Sequence, residues 1–471
     1  MSRLIAIFFL SFSCLVSSFS QPSAPLEETW VRVEQIEVKG NKKTKGKLII
    51  RELNFEIGDS IRLNDLQDVL TFNRLQLMNT GLFTDVGFNI PRWDDESNIT
   101  ILVDVIEAWY FYPIPVFELA DRNFNVWWVD YERSLKRVNY GLDFFYFNMT
   151  GRGDEIEALI QLGFTHKFEL DYSIPYINQQ QTLGLFTNVL YTRNREINYN
   201  TELDRQTFFR SEEDFLLQRF RAGVGMTFRP KYRNLHKWDL RFHKYGIEEQ
   251  VLSELNPDFF LGSLEQQFFS FSYNWGLDYR DIRPYPMNGF WLQVELLKEG
   301  FGIFGDLNTA YITVSHDQYL PMNDRWSLAW NAKGRYAFLR DKIPFYNSRA
   351  LGYNEDYIRG YEYYVIDGLD YFYIKNNLRI KLLDHTIDFG RLMPLENFKK
   401  MPSRLFLATF TDIGQVNNPH YRAENELPST WLVGYGIGLN LIVYYDKVFR
   451  LEYSRNLLGE GGIFLHWDLR Y

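Results

Sequence analysis

Cysteine is nearly absent from this 471-residue chain: its one instance is Cys14. One thiol cannot form an internal disulfide or a cysteine metal cluster. The seven histidines (His166, His236, His243, His316, His385, His420 and His466) are scattered along the chain. None stands at His-x-x-x-His spacing or inside a cluster of carboxylates, so no metal site is expected. A G-x-S-x-G elbow is missing, and no phospholipase-type triad is signalled. Gly434-x-Gly436-x-Gly438 lies inside an alternating segment rather than between strand and helix. It reads as relief of crowding in a curved sheet, not as a phosphate cradle. Beyond the first twenty residues no apolar run of about 18 residues exists, which excludes a membrane-spanning helix. A net charge of −9 argues against a nucleic-acid partner. No enzyme, cofactor or metal is expected.

What the chain does have begins with a leader, residues 1–20. Arg3 supplies a positive start, Leu4 to Val16 an apolar core too short to cross a bilayer, and Ser18-Phe19-Ser20 a small-residue cleavage site. A lipoprotein leader acylated at Cys14 is the alternative, and Ser11-Phe12-Ser13 fits it poorly. Residues 21–30 read as a tether. Aromatics are abundant, with 40 Phe, 31 Tyr and 12 Trp, 18% of the chain. That suits a barrel with aromatic girdles at two membrane interfaces. A secreted, aromatic-rich chain without an apolar helix enters a membrane only as a closed barrel.

From Val31 the pattern is that of a small α+β domain, residues 31–107. VRVEQIEVKGN reads as a strand ending at Gly40-Asn41, and KTKGKLIIRELNF as a helix. LNDLQDVLTFNRLQLMNTGLF reads as a second helix, with Asn64 a candidate cap and Gly81 its end. FTDVGFNI and NITILVDVIEA follow as a hairpin, giving the order β-α-α-β-β. Over 109–471 nearly every segment alternates apolar and polar residues between Gly, Asn, Asp or Pro turns. Fifteen or sixteen strands result, depending on whether FELADRNFNVWWVDY is one strand or two. Barrels take even numbers, so sixteen antiparallel strands are expected, with 196–216 and 417–430 as extracellular loops. In the last strand Ile463, Leu465, Trp467, Leu469 and Tyr471 share one face, and His466, Asp468 and Arg470 the other, with Phe464 the exception. Such a strand must pair with the first or leave an open edge.

Three motifs stand out: Ile358-Arg359-Gly360-Tyr361, Phe410-x-Asp412-x-Gly414, and Asp278-x-Arg280-Asp281 followed by Pro286 and Gly289. Their order and spacing resemble the BamA/TamA-like, bacterial surface antigen family of outer-membrane assembly and translocation proteins. Residues 31–107 resemble that family's POTRA domain, GLFTDVGFNI included, and 109–471 its sixteen-stranded barrel. The resemblance implies that the IRGY loop folds back into the lumen and sets Arg359 against Asp412. Two departures matter. Asn377 stands where the family often carries a glutamate, and the chain has room for only one POTRA domain.

By resemblance, the protein sits in the outer membrane with its amino-terminal domain in the periplasm. It would assist insertion or export of client proteins. Its expected partners are outer-membrane lipid, unfolded or strand-forming clients and periplasmic accessory proteins. A passive pore, or a secretion pore dedicated to one partner, are the alternatives.

Overall fold

The computed structural model describes residues 29–119, 135–231, 233–353, 356–394, 399–444 and 447–469. The leader and Tyr471 lie outside them. The amino-terminal domain runs β1 (Trp30–Lys39), α1 (Gly46–Arg51), β2 (Ser60–Arg62), α2 (Leu66–Met78), β3 (Phe83–Trp93) and β4 (Asn98–Glu107). Its sheet order is β2-β1-β4-β3, with β1 and β4 parallel and the other pairs antiparallel. Val31, Val33 and Ile36 of β1 and Ile99, Ile101, Val103 and Val105 of β4 form a core with Leu48 and Ile49 of α1 and Leu66, Leu70 and Leu77 of α2. The two-residue period on the strands and the three-to-four-residue period on the helices give each element one apolar side.

Three details depart from the sequence expectation. α1 stops at Arg51, because the buried Asn73 side chain accepts the Asn54 amide at 2.8 Å and turns the chain away. β2 is an additional edge strand. Asn64 caps nothing: it sits in a single 3₁₀ turn, Leu63–Asp65, and α2 has no side-chain cap.

The rest of the chain forms one antiparallel sheet of sixteen strands. Its first half contains β5 (Phe111–Leu119), β6 (Val138–Phe147), β7 (Glu155–Gly163), β8 (Thr165–Ile174) and β9 (Leu183–Asn194). A separate hairpin, β10 (Glu196–Glu202) and β11 (Arg205–Arg210), then interrupts it. β12 (Leu217–Lys231), β13 (Asn234–Ile247), β14 (Glu265–Asp278), β15 (Gly289–Glu299), β16 (Thr309–Pro321) and β17 (Trp326–Ala337) continue the sheet. A short ribbon, β18 (Arg349–Leu351) with β19 (Ile366–Asp367), precedes β20 (Asp370–Asp388), β21 (Lys400–Asn417), β22 (Leu432–Val443), β23 (Lys447–Asn456) and β24 (Gly461–Leu469). Along each strand large apolar residues such as Leu240, Phe271, Ile437 and Leu451 are exposed on one face. Polar ones such as Asp239, His243, Asp412 and Glu452 are buried on the other. Trp467 pairs with Phe449 in the last ladder.

The hairpin β10–β11 occupies a span expected to be plain loop. Its tip, Leu203-Asp204, takes positive φ at both residues without a glycine, so no turn signal marks it. The tip is held because the Asp204 carboxylate accepts the Glu426 and Leu427 amides, at 3.0 and 3.1 Å. The first barrel strand also begins earlier than the segment opening at Phe117. Pro113 and Pro115 mask it, and prolines fit only an edge strand. β5 is such an edge: it and β24 are the two ends of the sheet, and no register joins them among the described residues. Residues 120–134, the remainder of FELADRNFNVWWVDY, lie outside the described residues.

The amino-terminal domain is docked on the near rim of the barrel. Arg229, at the end of β12, donates to both Glu52 oxygens at 2.7 and 2.8 Å. Asn79 donates to the Asp281 carbonyl at 3.0 Å, and the Lys45 amide to the Gly151 carbonyl at 2.8 Å. Burial pushes the Glu52 carboxyl up, but the charge and hydrogen bonds of Arg229, with Arg51 and Arg283 behind it, hold it below the usual carboxylate range. Arg229→Ala is expected to weaken the docking by about 3 kcal/mol, since Glu52 would stay buried with only the looser Arg51 contact at 3.7 Å. Faster amide hydrogen exchange over residues 43–53 and 148–154 is the readout, and unchanged exchange contradicts it. Because the folded carboxyl value is depressed, its contribution is complete above the ordinary Glu value near ~4.3 and is lost as pH falls through the lower folded value. Docking should therefore loosen only in acid.

Candidate functional site in the barrel lumen

Residues 356–365 turn down from the far rim into the barrel, and β18 and β19 clasp the base of this loop. Arg359 is 7% exposed and Asp412 0%. A guanidinium taken from water carries a desolvation cost of tens of kcal/mol unless its five N–H groups find acceptors. Here all five do. Arg359 Nε donates to Asp412 Oδ2 at 2.8 Å and Nη2 to Asp412 Oδ1 at 2.5 Å, a bidentate pair. Nη1 donates to Asn377 Oδ1 at 2.8 Å and to Glu452 Oε1 at 3.3 Å, and Nη2 also reaches the Asn376 carbonyl at 3.5 Å. The Arg359 amide adds a bond to Asp412 Oδ2 at 3.2 Å. The guanidinium carbon lies 3.8 Å from the Phe410 ring centroid, a cation–π contact.

Glycines make room for this loop. Gly360 has φ +92°, a conformation other residues avoid. A Cβ on Gly434 would stand 1.6 Å from the Arg359 carbonyl oxygen, and one on Gly414 2.9 Å from Ile358 Cδ1. The Gly434 position thus seats the loop, a role beyond the sheet curvature inferred from its spacing. Tyr361 packs not against the ion pair but in an apolar cluster with Leu351, Ile358, Tyr364 and Leu427.

Glu452 and Tyr357 were not singled out in the sequence, and His466 was noted only as scattered and as part of the last strand's polar face. Asn377 accepts a bond as a neutral group, and the second carboxylate comes from Glu452 on β23. Nothing in the alternation of VFRLEYSRN distinguishes Glu452 from its polar neighbours. His466 of β24 lies 3.7 Å from Glu452 and stacks on the loop's Tyr357 with ring centroids 5.5 Å apart. Phe464, the one break in the last strand's alternation, packs on Tyr363 of the loop at 5.3 Å. Lys333 and the Tyr371 and Tyr373 hydroxyls donate to Asp356, a second anchor, at 2.6, 3.2 and 2.9 Å. The loop therefore touches β17, β20, β21, β22, β23 and β24.

Asp278, Arg280, Asp281 and Gly289 form a separate group at the β14–β15 turn. Asp278 pairs with Arg280 at 2.8 Å and Arg283 at 3.0 Å, not with Arg359. Asp281 Oδ1 accepts the Ile282 amide at 2.8 Å and the Met287 amide at 3.1 Å. Gly289 has φ +99°, which this sharp return requires. The turn reaches across the lumen: Arg379 donates to the Pro286 carbonyl at 2.9 Å and Asn440 to the Tyr285 hydroxyl at 2.8 Å. Among the described residues no group of three or more His, Cys, Asp or Glu is arranged to hold a metal.

Comparison with known proteins fits this geometry. A model of the Omp85 superfamily domain matches residues 148–443. A POTRA model described as a surface antigen variable number repeat matches residues 31–107. Among solved structures, BamA from Haemophilus ducreyi lacking POTRA domains 1-3 is similar with TM-score 0.51 at 14% identity, over 93% of this chain and 84% of that one. CdiB from Escherichia coli is similar with TM-score 0.54 at 14% identity, over 93% of this chain and 75% of that one. Such low identity carries the fold alone. No curated protein matches the sequence.

Arg359→Ala is expected to cost the seated loop about 3–5 kcal/mol, because Asp412 and Glu452 would remain buried without their cation. Arg359→Lys should recover part of this, since an ammonium lacks the planar fork. Gly434→Ala should unseat the loop by steric conflict alone, with every charge retained. Protease cleavage within 352–368 on membranes measures all three; a loop as protected as wild type in Arg359→Ala contradicts the assignment.

Proposed function

The chain belongs to the Omp85 superfamily, an outer-membrane β-barrel with a periplasmic POTRA domain, and from that premise we propose that it assists insertion or export of client proteins without catalytic chemistry. The loop carried by Arg359 supports this reading over a passive pore. It enters the lumen and is pinned to six strands, β17 and β20 to β24, whereas a passive pore needs an unobstructed channel. Clients would meet the periplasmic domain first. β3 is an outer strand of that domain's sheet, eleven residues long. An extended segment can add to such an edge through its backbone, which demands no particular sequence.

A second reading is a secretion pore dedicated to one partner. The single POTRA domain favours it, because one short docking surface suits one client better than many.

Depletion followed by an outer-membrane and extracellular proteome separates these readings. Broad loss of barrels is the expected result for assembly. Loss of one exported protein marks the dedicated pore. An unchanged proteome would leave only the passive pore and overturn the proposal.

A further inference from the structure

The extracellular turn between β15 and β16, residues 300–308, reads GFGIFGDLN. Gly300, Gly302 and Gly305 have φ of +73°, +75° and +78°, so the turn is built from left-handed corners with apolar residues between them. Phe301, Ile303 and Phe304 are 49%, 64% and 43% exposed. Three large apolar side chains on one short extracellular turn need a cover other than water.

Its surroundings identify that cover. The Phe304 ring lies 6.1 Å from Phe242 and 6.0 Å from Phe269, which pair across β13 and β14. Two residues further along the same outward face stand Leu240 and Phe271, also paired and exposed. These belong to the surface the barrel presents to lipid. One step above Phe242 that surface turns polar, with Lys244 paired to Glu265 at 3.3 Å. The turn thus folds back to continue an apolar face where the strands themselves have ended it.

Polar groups at the base of the turn are bonded to one another and to β14. Lys298 Nζ donates to the Glu299 carbonyl at 2.9 Å, to Asn308 Oδ1 at 2.7 Å and to the Gly300 carbonyl. The Gly300 amide donates to the Phe269 carbonyl at 2.8 Å, and Asp306 takes the Gln267 amide at 2.5 Å. The side chains at the base of the turn are thus bonded to protein, and a lysine stem that bends its ammonium toward carbonyls is suited to a membrane boundary, where the backbone of the turn keeps its water.

We propose that residues 300–305 are a lipid-inserted element, in which Phe301, Ile303 and Phe304 enter the acyl-chain boundary of the outer leaflet. The element attaches one side of the barrel to that leaflet beyond the reach of its strands. It is independent of what the barrel does with clients.

The scarcity of cysteine makes the test clean. Full-length chain carrying Cys14→Ser with Ile303→Cys, or with Phe304→Cys, bears a single thiol for a nitroxide label. Leu203→Cys, at the 74% exposed tip of β10–β11, is the aqueous control. Each variant is reconstituted in vesicles of phosphatidylethanolamine and phosphatidylglycerol, and heat-modifiable migration verifies folding. Relaxation by oxygen, which concentrates in lipid, is compared with relaxation by a water-soluble nickel chelate. The expected oxygen-to-nickel ratio at 303 and 304 is several-fold that at 203. Equal ratios at all three positions overturn the proposal. Exclusion of both reagents at 303 and 304 also overturns it, because a protein surface would then be the cover.

Discussion

A guanidinium withdrawn from water can persist only where every N–H meets an acceptor, and Arg359 imposes that condition on half the barrel. Asp412 must face inward on β21, so the two-residue register of that strand is fixed around it. Asn377 and Glu452 must arrive from the flanking ladders. The Arg359 carbonyl must pass close to β22, which leaves space only for hydrogen at Gly434. A one-residue slip of any of these strands would turn its acceptor toward lipid. The ion pair is therefore as much a register gauge as a source of stability. Its net worth against an apolar alternative is small, whereas the cost of breaking it is large.

The two ends of the barrel are occupied in different ways. On the extracellular side a loop held by charge descends into the lumen, and the hairpin β10–β11 and residues 424–427 close over its base through Asp204. On the periplasmic side the β14–β15 turn crosses to β20 through Arg379, to β21 through Tyr285 against Phe406, and to β22 through Asn440. The POTRA domain lies beneath it, latched by Glu52 and Arg229.

Much of this was legible in the sequence because its causes are local. Alternation reports which face of a strand is wet, so the barrel could be read segment by segment. Arg359 and Asp412 were legible as members of motifs. Glu452 was not, because its role depends on the distance between β23 and a loop some ninety residues earlier. The β10–β11 hairpin was hidden for a similar reason. Its strained Leu203-Asp204 tip contains no glycine and is paid for by amides at 426 and 427, far along the chain. The short α1 likewise ends on a side chain from α2. In each case a polar group from a distant segment overrides what the neighbouring residues prefer.

The prolines of β5 carry a last consequence. Pro113 and Pro115 are two residues apart, so both rings point to the same side of the strand. Their pairing with Phe144 and Leu142 is intact in the β5–β6 ladder, which turns the nitrogens without hydrogens toward the opposite edge. A zip along that edge lacks two teeth on one tape. Any strand laid there, whether the chain's own β24 or an incoming one, receives no N–H bond at either proline. The line between first and last strands is thus mechanically soft at a position set by covalent structure, and neither temperature nor ionic strength can restore the missing donors.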